Sequence, residues 1–191
     1  MMTKEDILAI FKKTDALLEG HFQLTSGLHS PQYFQCAKVL QYPEYMVALC
    51  GEVAKHFSGA SIDVVISPAM GGIVVGQEVG RRLNVRTMFA ERKDGVLQLR
   101  RGFEISKGDN VLVCEDVITT GGSVKEVIKI VQQYGGEVIG IGAMVDRSGG
   151  TVHFNNLFAT IVMDVVTYQP LECPMCKQGK RVDKPGSRNN A

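Results

Sequence analysis

Five short apolar segments separated by helical patterns constrain the fold of this chain more than any other feature. Strands that alternate with helices form parallel sheets with right-handed crossovers. The sequence therefore predicts an α/β fold with a central parallel five-stranded sheet flanked by helices. The apolar segments are IDVVIS (62–67), VRTMFA (85–90), NVLVCED (110–116), VIGIGAMV (138–145) and FATIVMDV (158–165).

Polar or glycine-rich groups follow four of these segments at the point where each predicted strand ends. They are Pro68–Gly72, Glu91–Lys93, Glu115–Asp116 and Asp146–Arg147. The carboxyl ends of parallel strands meet at one edge of the sheet, and ligands of such sheets bind there. We therefore predict one binding site, built from these groups, at that edge.

The stretch VLVCEDVITTGGSV, from Val111 to Val124, carries the most specific chemistry. Small residues between a strand and a helix let backbone N–H groups approach an anion, which the helix N-terminus also favours. The two acids, Glu115 and Asp116, are suited to accept hydrogen bonds from the adjacent hydroxyls of a ribose. An ordinary strand–helix turn does not explain two neighbouring carboxylates at a buried strand end. The P-loop motif and the dinucleotide motif G-x-G-x-x-G are both absent from the sequence.

This stretch resembles the phosphoribosyl-diphosphate signature of the type I phosphoribosyltransferases. FQLTSGLHSPQYF (22–34), SPAMGGIVVG (67–76), AERK (90–93) and MVDRSGG (144–150) resemble, in order and spacing, the orotate phosphoribosyltransferases of the shorter-loop branch. The resemblance implies a type I phosphoribosyltransferase fold in one domain, 1–191. A small N-terminal hood would span about 1–40 with part of the C-terminal tail, the core would span about 43–168, and a flexible hairpin flap would cover the site.

The resemblance also implies a role for each matching residue. Thr119 and Arg147 would hold orotate, with Tyr33 and Phe34 closing the base pocket. Residues 115–123 would bind the ribose 5-phosphate and 69–72 the diphosphate. The residues expected to act in catalysis are Glu115, Asp116, Arg92 and Lys93. The full phosphoribosyl-diphosphate set is Glu115, Asp116, Val117, Ile118, Thr119, Thr120, Gly121, Gly122, Ser123, Ala69, Met70, Gly71 and Gly72.

The activity implied is transfer of the phosphoribosyl group to orotate, giving orotidine 5′-monophosphate and diphosphate in de novo pyrimidine biosynthesis. Mg²⁺ would be held mainly by the substrate, with no direct protein ligand required. A homodimer is implied, in which the flap reaches the partner's site. Family members commonly carry Lys at the positions of Thr25 and Gly71, so this chain departs from the family pattern at both.

Alternatives remain open on the residues alone. One alternative is a purine phosphoribosyltransferase, but purines have no carboxylate that Arg147 could bind. A second alternative for Arg147 itself is a salt bridge with Asp146 or a position on the surface. A phosphoribosyl-diphosphate-sensing regulator of nucleic acid would require a basic surface. The net charge of the 191 residues is +1, which argues against nucleic acid as a partner.

Composition narrows the class further. The hydrophobic content is 45% and the charged content 21%, and no apolar run approaches the roughly 20 residues that span a bilayer. We expect a helix over Lys4–Leu18, begun by a capping box of Thr3 and Asp6, rather than a signal peptide. The expectation is a soluble cytoplasmic protein with no membrane partner and with reduced cysteines.

The segment RKDGVLQLRRGF (92–103) is predicted to form a hairpin that turns at Asp94–Gly95. It presents Arg92, Lys93, Arg100 and Arg101. These cations could belong to a solvated hairpin or to a cationic flap over the site, and both interpretations remain open.

Cys173 and Cys176 form a single C-x-x-C, whereas a tetrahedral zinc site needs four ligands. His153 or a second copy of the chain could complete such a site. Cys36, Cys50 and Cys114 are predicted to fill the core. We interpret His21, His29 and His56 as surface or capping residues, and we expect the polar segment after Lys177 to be frayed.

Overall fold

A computed structural model describes residues 2–24 and 26–185. Thr25, one of the two departures from the family pattern, lies outside the described residues. The helices are α1 (Lys4–Lys13), α2 (Ala37–Leu40), α3 (Pro43–Phe57), α4 (Gly71–Leu83), α5 (Gly122–Gln133) and α6 (Pro174–Lys177), with a 3₁₀ turn at Pro170–Glu172. The strands are β1 (Leu17–Gln23), β2 (His29–Phe34), β3 (Val64–Pro68), β4 (Arg86–Lys93), β5 (Val96–Leu99), β6 (Asn110–Ile118), β7 (Glu137–Asp146) and β8 (Leu157–Val162).

The main sheet has the strand order β5-β4-β3-β6-β7-β8. Strands β3, β4, β6, β7 and β8 are parallel, which confirms the five predicted strands. The sixth strand, β5, runs antiparallel to β4 as the second arm of the predicted hairpin. Asp94 and Gly95 have φ values of 52° and 81°, the left-handed backbone that a two-residue hairpin turn requires.

Helices cover both faces of this sheet because successive strand residues point to opposite sides. Val65 on β3 packs into the core that contains Val53 of α3 and Val79 of α4. Its neighbour Ile66 packs into the opposite core with Val127 of α5. The alternation fixes which side of each strand end faces α4 and which faces α5. No helix in the described part of the chain is long and apolar enough to cross a membrane.

The N-terminal hairpin pairs β1 with β2 in a separate antiparallel sheet, which we call the hood hairpin (17–34). The capping box of Thr3 and Asp6 is present at the start of α1. The predicted helix is wrong beyond Lys13, because Asp15 adopts a left-handed backbone (φ 53°) and redirects the chain. Leu17 is therefore a strand residue paired with Phe34.

The C-terminal segment is bonded to the hood hairpin. His29 N donates to Tyr168 O at 2.9 Å, and Tyr168 N donates back to His29 O at 2.8 Å. Further on, Asp183 N donates to His21 O at 2.8 Å, and Gln23 N donates to Asp183 O at the same distance. The prediction of a frayed end is therefore wrong for the described residues after Lys177, since backbone pairing holds them as far as Asp183.

Candidate active site

The predicted polar groups lie at the same edge of the sheet. Pro68 at the end of β3 is in register with Ala90 on β4, and Ile118 at the end of β6 is in register with Asp146 on β7. Arg147 N donates to Ile118 O at 2.8 Å, which joins the two central strand ends. The prediction that these strand ends meet is confirmed by the register.

The turn after β6 forms a small concave site. Gly121 precedes α5 with a left-handed backbone (φ 70°), and an added Cβ there would lie 2.9 Å from the ring of Phe154. The first N–H groups of a helix have no partner within the helix, so the first turn of α5 offers donors to an anion. A cavity of about 60 Å³ lies against the turn. Its lining includes Glu115, Thr119, Thr120, Gly122 and Ser123.

The two acids differ in exposure. The Glu115 side chain is buried and its Oε1 accepts from Asp116 N at 3.0 Å. Asp116 is half-buried, and its Oδ1 accepts from Val117 N at 2.9 Å. Burial, with the Asp116 carboxylate beside it, raises the pKa of Glu115 well above its ordinary value. A cation at this edge would therefore favour the ionised acid.

The glycines of 68–72 lie directly against these acids. An added Cβ on Gly71 would overlap the Asp116 carboxylate, with Cγ at 2.6 Å, and one on Gly72 would lie 3.1 Å from Glu115 Oε1. The absence of a side chain at position 71 thus lets the 68–72 turn approach the acids closely. Met70 projects into solvent beside them, with 81% of its surface exposed.

Cys36 is a site residue that the sequence did not reveal. It is buried as predicted, and the Asp116 carboxylate lies close enough to act on its thiol. Burial, together with the negative charge of Asp116, raises the thiol pKa well above its ordinary value, so the sulfur stays protonated. A lone cysteine after a strand gives no local sequence signal for this contact.

Three of the residues predicted to hold the base, Arg147, Tyr33 and Phe34, lie near one another, whereas Thr119 lines the cavity at the β6–α5 turn. The Arg147 guanidinium carbon lies 5.9 Å from the ring centre of Phe34. Burial lowers the pKa of Arg147, while nearby Tyr33 acts in the opposite direction. Tyr33 donates its hydroxyl hydrogen to Gln35 at 3.0 Å.

Arg147 is not paired with a carboxylate among the described residues. Its Nε is buried without a hydrogen-bond partner there, while Asp146 Oδ1 accepts from Ser148 N at 2.8 Å. The alternative of an Asp146–Arg147 salt bridge is therefore wrong. A half-buried guanidinium whose buried Nε has no partner among the described residues is suited to receive an anion.

The hairpin flap, β4–β5, is bonded to α5 of its own chain. Arg92 Nη2 lies 2.9 Å from Glu126 Oε1, and Leu97 N donates to Glu126 Oε2 at 3.1 Å. Arg92 also donates to Gly95 O. Glu126 was not predicted as part of the site, because an exposed helix glutamate carries no signal for a partner 34 residues earlier.

The other flap cations have different environments. Arg100 and Arg101 both pair with Glu91, at 3.0 and 2.8 Å. These contacts lower the pKa of Glu91, chiefly through the Arg101 hydrogen bond. Lys93 is exposed and has no ion pair in the described part of the chain.

A larger cavity of about 620 Å³ lies elsewhere, between the hood hairpin and the C-terminal segment. It is lined by Glu19, Pro31, Lys180 and Arg181 among others, and by none of the strand-end residues. Cavity volume alone would therefore favour a site away from the strand ends. The convergence of acids, helix N-terminus and unpartnered Arg147 favours the smaller site.

Comparison with known proteins agrees with this geometry. The model of the phosphoribosyl transferase domain matches residues 44–167. An orotate phosphoribosyltransferase of Chlorobaculum parvum is 59% identical over 191 residues, covering 100% of this chain and 99% of the relative. The chain belongs to the orotate phosphoribosyltransferase family.

Solved structures show the same fold at lower identity. An orotate phosphoribosyltransferase from Aeropyrum pernix superposes with a TM-score of 0.68 at 24% identity, covering 82% of this chain and 93% of the other. The UMP synthase of Leishmania donovani gives 0.71 at 23% identity, covering 85% of this chain and 37% of the longer protein. The matched domain, 44–167, contains all four strand ends of the candidate site, but neither the hood hairpin nor the segment from Tyr168 onward.

Proposed function

We propose that this chain transfers the phosphoribosyl group of 5-phosphoribosyl 1-diphosphate to orotate, giving orotidine 5′-monophosphate and diphosphate for pyrimidine biosynthesis. One observation carries the choice of base. Arg147 is half-buried beside Tyr33 and Phe34, its buried Nε has no hydrogen-bond partner among the described residues, and its backbone N donates to the end of β6. Orotate is a planar ring with a carboxylate, which matches an arginine fork beside aromatic side chains.

The sugar phosphate would bind along the β6–α5 turn. The N–H groups at Thr120–Ser123 would hold the 5-phosphate, and Thr119 would lie at the sugar–base junction. The backbone of Val117 and Ile118 would form the floor, while Ala69–Gly72 would receive the diphosphate. In this arrangement the leaving group lies at the 68–72 turn and the base at Arg147, on opposite sides of the anomeric carbon.

The acids would act on the charge that develops during transfer. Diphosphate departs from the anomeric carbon with the bonding electrons, and positive charge grows on the ribose as the orotate nitrogen approaches. Glu115 and Asp116, at the end of β6, would bind the ribose hydroxyls and offset that charge. Most of the rate gain then comes from positioning and electrostatics, with no covalent intermediate on the enzyme.

Mg²⁺ is the cofactor that suits this chemistry. Its preferred ligands are oxygens, and the half-buried Asp116 carboxylate can interact with it directly or through water. The ion would be held mainly by the diphosphate and the ribose hydroxyls. When bound, it neutralises charge on the leaving oxygens.

Arg92 and Lys93 would supply positive charge to the diphosphate. Because Arg92 is held by Glu126, this ion pair has to open before Arg92 can reach a substrate. Exposed ion pairs contribute only about 0.2–1 kcal/mol, so the diphosphate can compete for the guanidinium.

The proposal also includes a homodimer, in which the flap of each chain serves the partner's site, and a cytoplasmic location.

Loss of orotate absorbance on mixing with 5-phosphoribosyl 1-diphosphate and Mg²⁺ tests the proposal. Adenine, hypoxanthine and uracil are run in parallel, with product formation followed by chromatography. Of the four bases, we expect only orotate to be turned over. Turnover with adenine or hypoxanthine, and none with orotate, would contradict the choice of base and support a purine enzyme.

Two variants sharpen this assay. Arg147→Ala should raise the KM for orotate at least tenfold more than the KM for 5-phosphoribosyl 1-diphosphate, because the lost contact is a charge-assisted hydrogen bond worth about 1.5–3 kcal/mol. Arg81→Ala, on the exposed face of α4 where it pairs with Glu78, is the matched control and should leave both constants unchanged. Equal increases in both constants for Arg147→Ala would argue against a base-binding role.

A further inference from the structure

Four side chains that are far apart in sequence meet between the hood hairpin and the C-terminal segment. His21 lies on β1, His29 on β2, and Cys173 and Cys176 at the start and middle of the turn that contains α6. Their ligand atoms all lie within 4.8 Å of one another. We propose that these four residues form a tetrahedral zinc site, which we call the hood zinc site.

The spacing of the four ligand atoms fits such a site. With Zn–S near 2.3 Å and Zn–N near 2.0–2.1 Å, tetrahedral geometry puts sulfur and nitrogen about 3.5 Å apart. Cys173 Sγ lies 3.5 Å from His21 Nε2, and Cys176 Sγ lies 3.6 Å from His21 Nε2 and 3.3 Å from His29 Nδ1. Three of the tetrahedron's edges therefore already have the length that zinc requires.

The fourth measured edge needs a small adjustment. His21 Nε2 and His29 Nδ1 lie 2.9 Å apart, about 0.5 Å closer than two nitrogens on one zinc ion. The two rings are inclined at 66°, so both nitrogens face the cluster from different directions. A slight rotation of either ring opens this edge without moving the backbone.

The second ring nitrogen of His21 has the partner that a metal-bound histidine usually has. His21 Nδ1 lies 2.9 Å from the carbonyl oxygen of Lys180, to which it donates. This hydrogen bond leaves the lone pair on Nε2, the atom that faces both sulfurs. The carbonyl thereby selects the ring form that binds a metal.

The environment favours a soft cation with two thiolates. His21, His29 and Cys173 are buried, and Cys176 is the most exposed of the four. Two thiolates and one Zn²⁺ give a site of zero net charge, which is the arrangement that burial tolerates. Sulfur and imidazole ligands select zinc over the oxygen-preferring Mg²⁺.

The backbone holds the two halves of the cluster together on both sides. Tyr168 pairs with His29 before the C-x-x-C, and Asp183 pairs with His21 after it. Within the turn, Lys177 N donates to Cys173 O at 3.1 Å, and Gly179 takes a left-handed backbone (φ 67°). Because four protein ligands complete a tetrahedral shell, no coordination position is left open for a substrate.

The role that follows is structural. Strand β2 runs from His29 directly to Tyr33 and Phe34, so zinc would fix the strand that carries the proposed base pocket. All four ligands lie outside the matched domain, 44–167. The inference is thus independent of the proposed reaction, and metal content can be measured without any assay of activity.

Zinc content of the full-length protein provides the test. Protein produced in zinc-supplemented medium, passed over a chelating resin and analysed by plasma mass spectrometry should contain about one zinc per chain. Cys176→Ser and His21→Asn should each lose at least nine-tenths of that zinc. His153→Ala and Cys50→Ala are the matched controls: His153 lies outside the cluster and Cys50 in the α3 core, so both should retain the wild-type content.

Cobalt reconstitution and thermal unfolding keep the test informative if a variant folds poorly. Wild-type protein loaded with Co²⁺ should show thiolate-to-cobalt charge transfer and the strong visible bands of four-coordinate cobalt. Removing zinc from the wild type should lower the Tm by roughly 10 °C, and re-adding zinc should restore it. Wild-type protein with less than half a zinc per chain after reconstitution, full zinc retention in Cys176→Ser, or a Cys173–Cys176 disulfide in freshly purified protein would each overturn the proposal.

Discussion

Gly71 offers the sharpest test of how closely the 68–72 turn must approach the acids. Replacing it with alanine would put Cβ 2.6 Å from Asp116 Cγ, whereas real Cβ atoms rarely approach a neighbour within 3.4 Å. Because Asp116 Oδ2 lies closer still to the added Cβ, the carboxylate would have to move by more than about 1 Å. Because Asp116 is half-buried, its side chain can move while the fold persists.

The two consequences of Gly71→Ala should therefore differ in size. Moving the carboxylate breaks its hydrogen bond to Val117 N, which costs about 1 kcal/mol, and the Tm should fall by about 2–4 °C. Misplacing a catalytic group by 1 Å costs about 10²-fold in rate, so kcat/KM should fall by at least that factor. A large loss of activity with a small loss of stability is the expected pattern.

Steady-state kinetics of orotate consumption and differential scanning calorimetry measure these two effects. Gly59→Ala is the matched control, because an added Cβ there meets nothing within 4 Å. It should change neither quantity. If Gly71→Ala keeps its kcat/KM within threefold of wild type, then Asp116 does not act from the position described, and the reasoning fails.

Three further predictions concern charged groups of the site. Burial raises the pKa of Glu115 in the folded chain, so ionising this acid destabilises the fold as the pH rises from the unfolded-state pKa through the folded-state pKa. Glu115→Gln should therefore raise the Tm at pH 8 by about 2–8 °C, and this gain should vanish near pH 4. An equal gain at both pH values would contradict this reasoning. Glu126→Gln removes the charge that competes for Arg92, so it should lower the KM for 5-phosphoribosyl 1-diphosphate about 1.5- to 5-fold. The control Glu137→Gln, at an exposed position, should leave this KM unchanged. An unchanged KM for Glu126→Gln would show that the Arg92–Glu126 pair does not restrain the flap. Asp116→Asn should cut kcat at least 10²-fold with the Tm little changed, and wild-type turnover would remove this acid from the mechanism.

The strand ends could be predicted because their signals are local. An apolar run followed by Glu115–Asp116 and a glycine-rich turn identifies a strand, a site and a helix start within a single segment. The same holds for the hairpin at Asp94–Gly95, since the turn residues alone specify a left-handed backbone. Parallel-sheet topology then brings these segments to one edge without further information.

The sequence-based predictions were wrong or incomplete in two situations. One is a local pattern that fits both a helix and a strand, and the other is a contact between residues distant in sequence. Leu17 and Leu18 fit a helical period, but a left-handed Asp15 ends the pattern after α1. The thiol of Cys36 lies near the Asp116 carboxylate, and Glu126 of α5 pairs with Arg92. No periodicity records such pairs, because each partner looks ordinary within its own segment.

His21 and His29 illustrate the same limit most clearly. Each looks like an isolated polar residue in a short strand, and the C-x-x-C looks like half of a site. Only the pairing of the C-terminal segment with the hood hairpin brings the four together. A search of the sequence for a second C-x-x-C would therefore miss the two histidines that lie beside Cys173 and Cys176.

The pairing of Tyr168 with His29 also dictates an order of assembly on the ribosome. The hood hairpin is made before its backbone partners, which follow about 140 residues later. Until then its edge lacks these partners, and the chain cannot complete this region before Asp183 has been synthesised. Ending translation before Tyr168 would leave an early-made hairpin permanently without its neighbour, although the entire matched domain had already been synthesised.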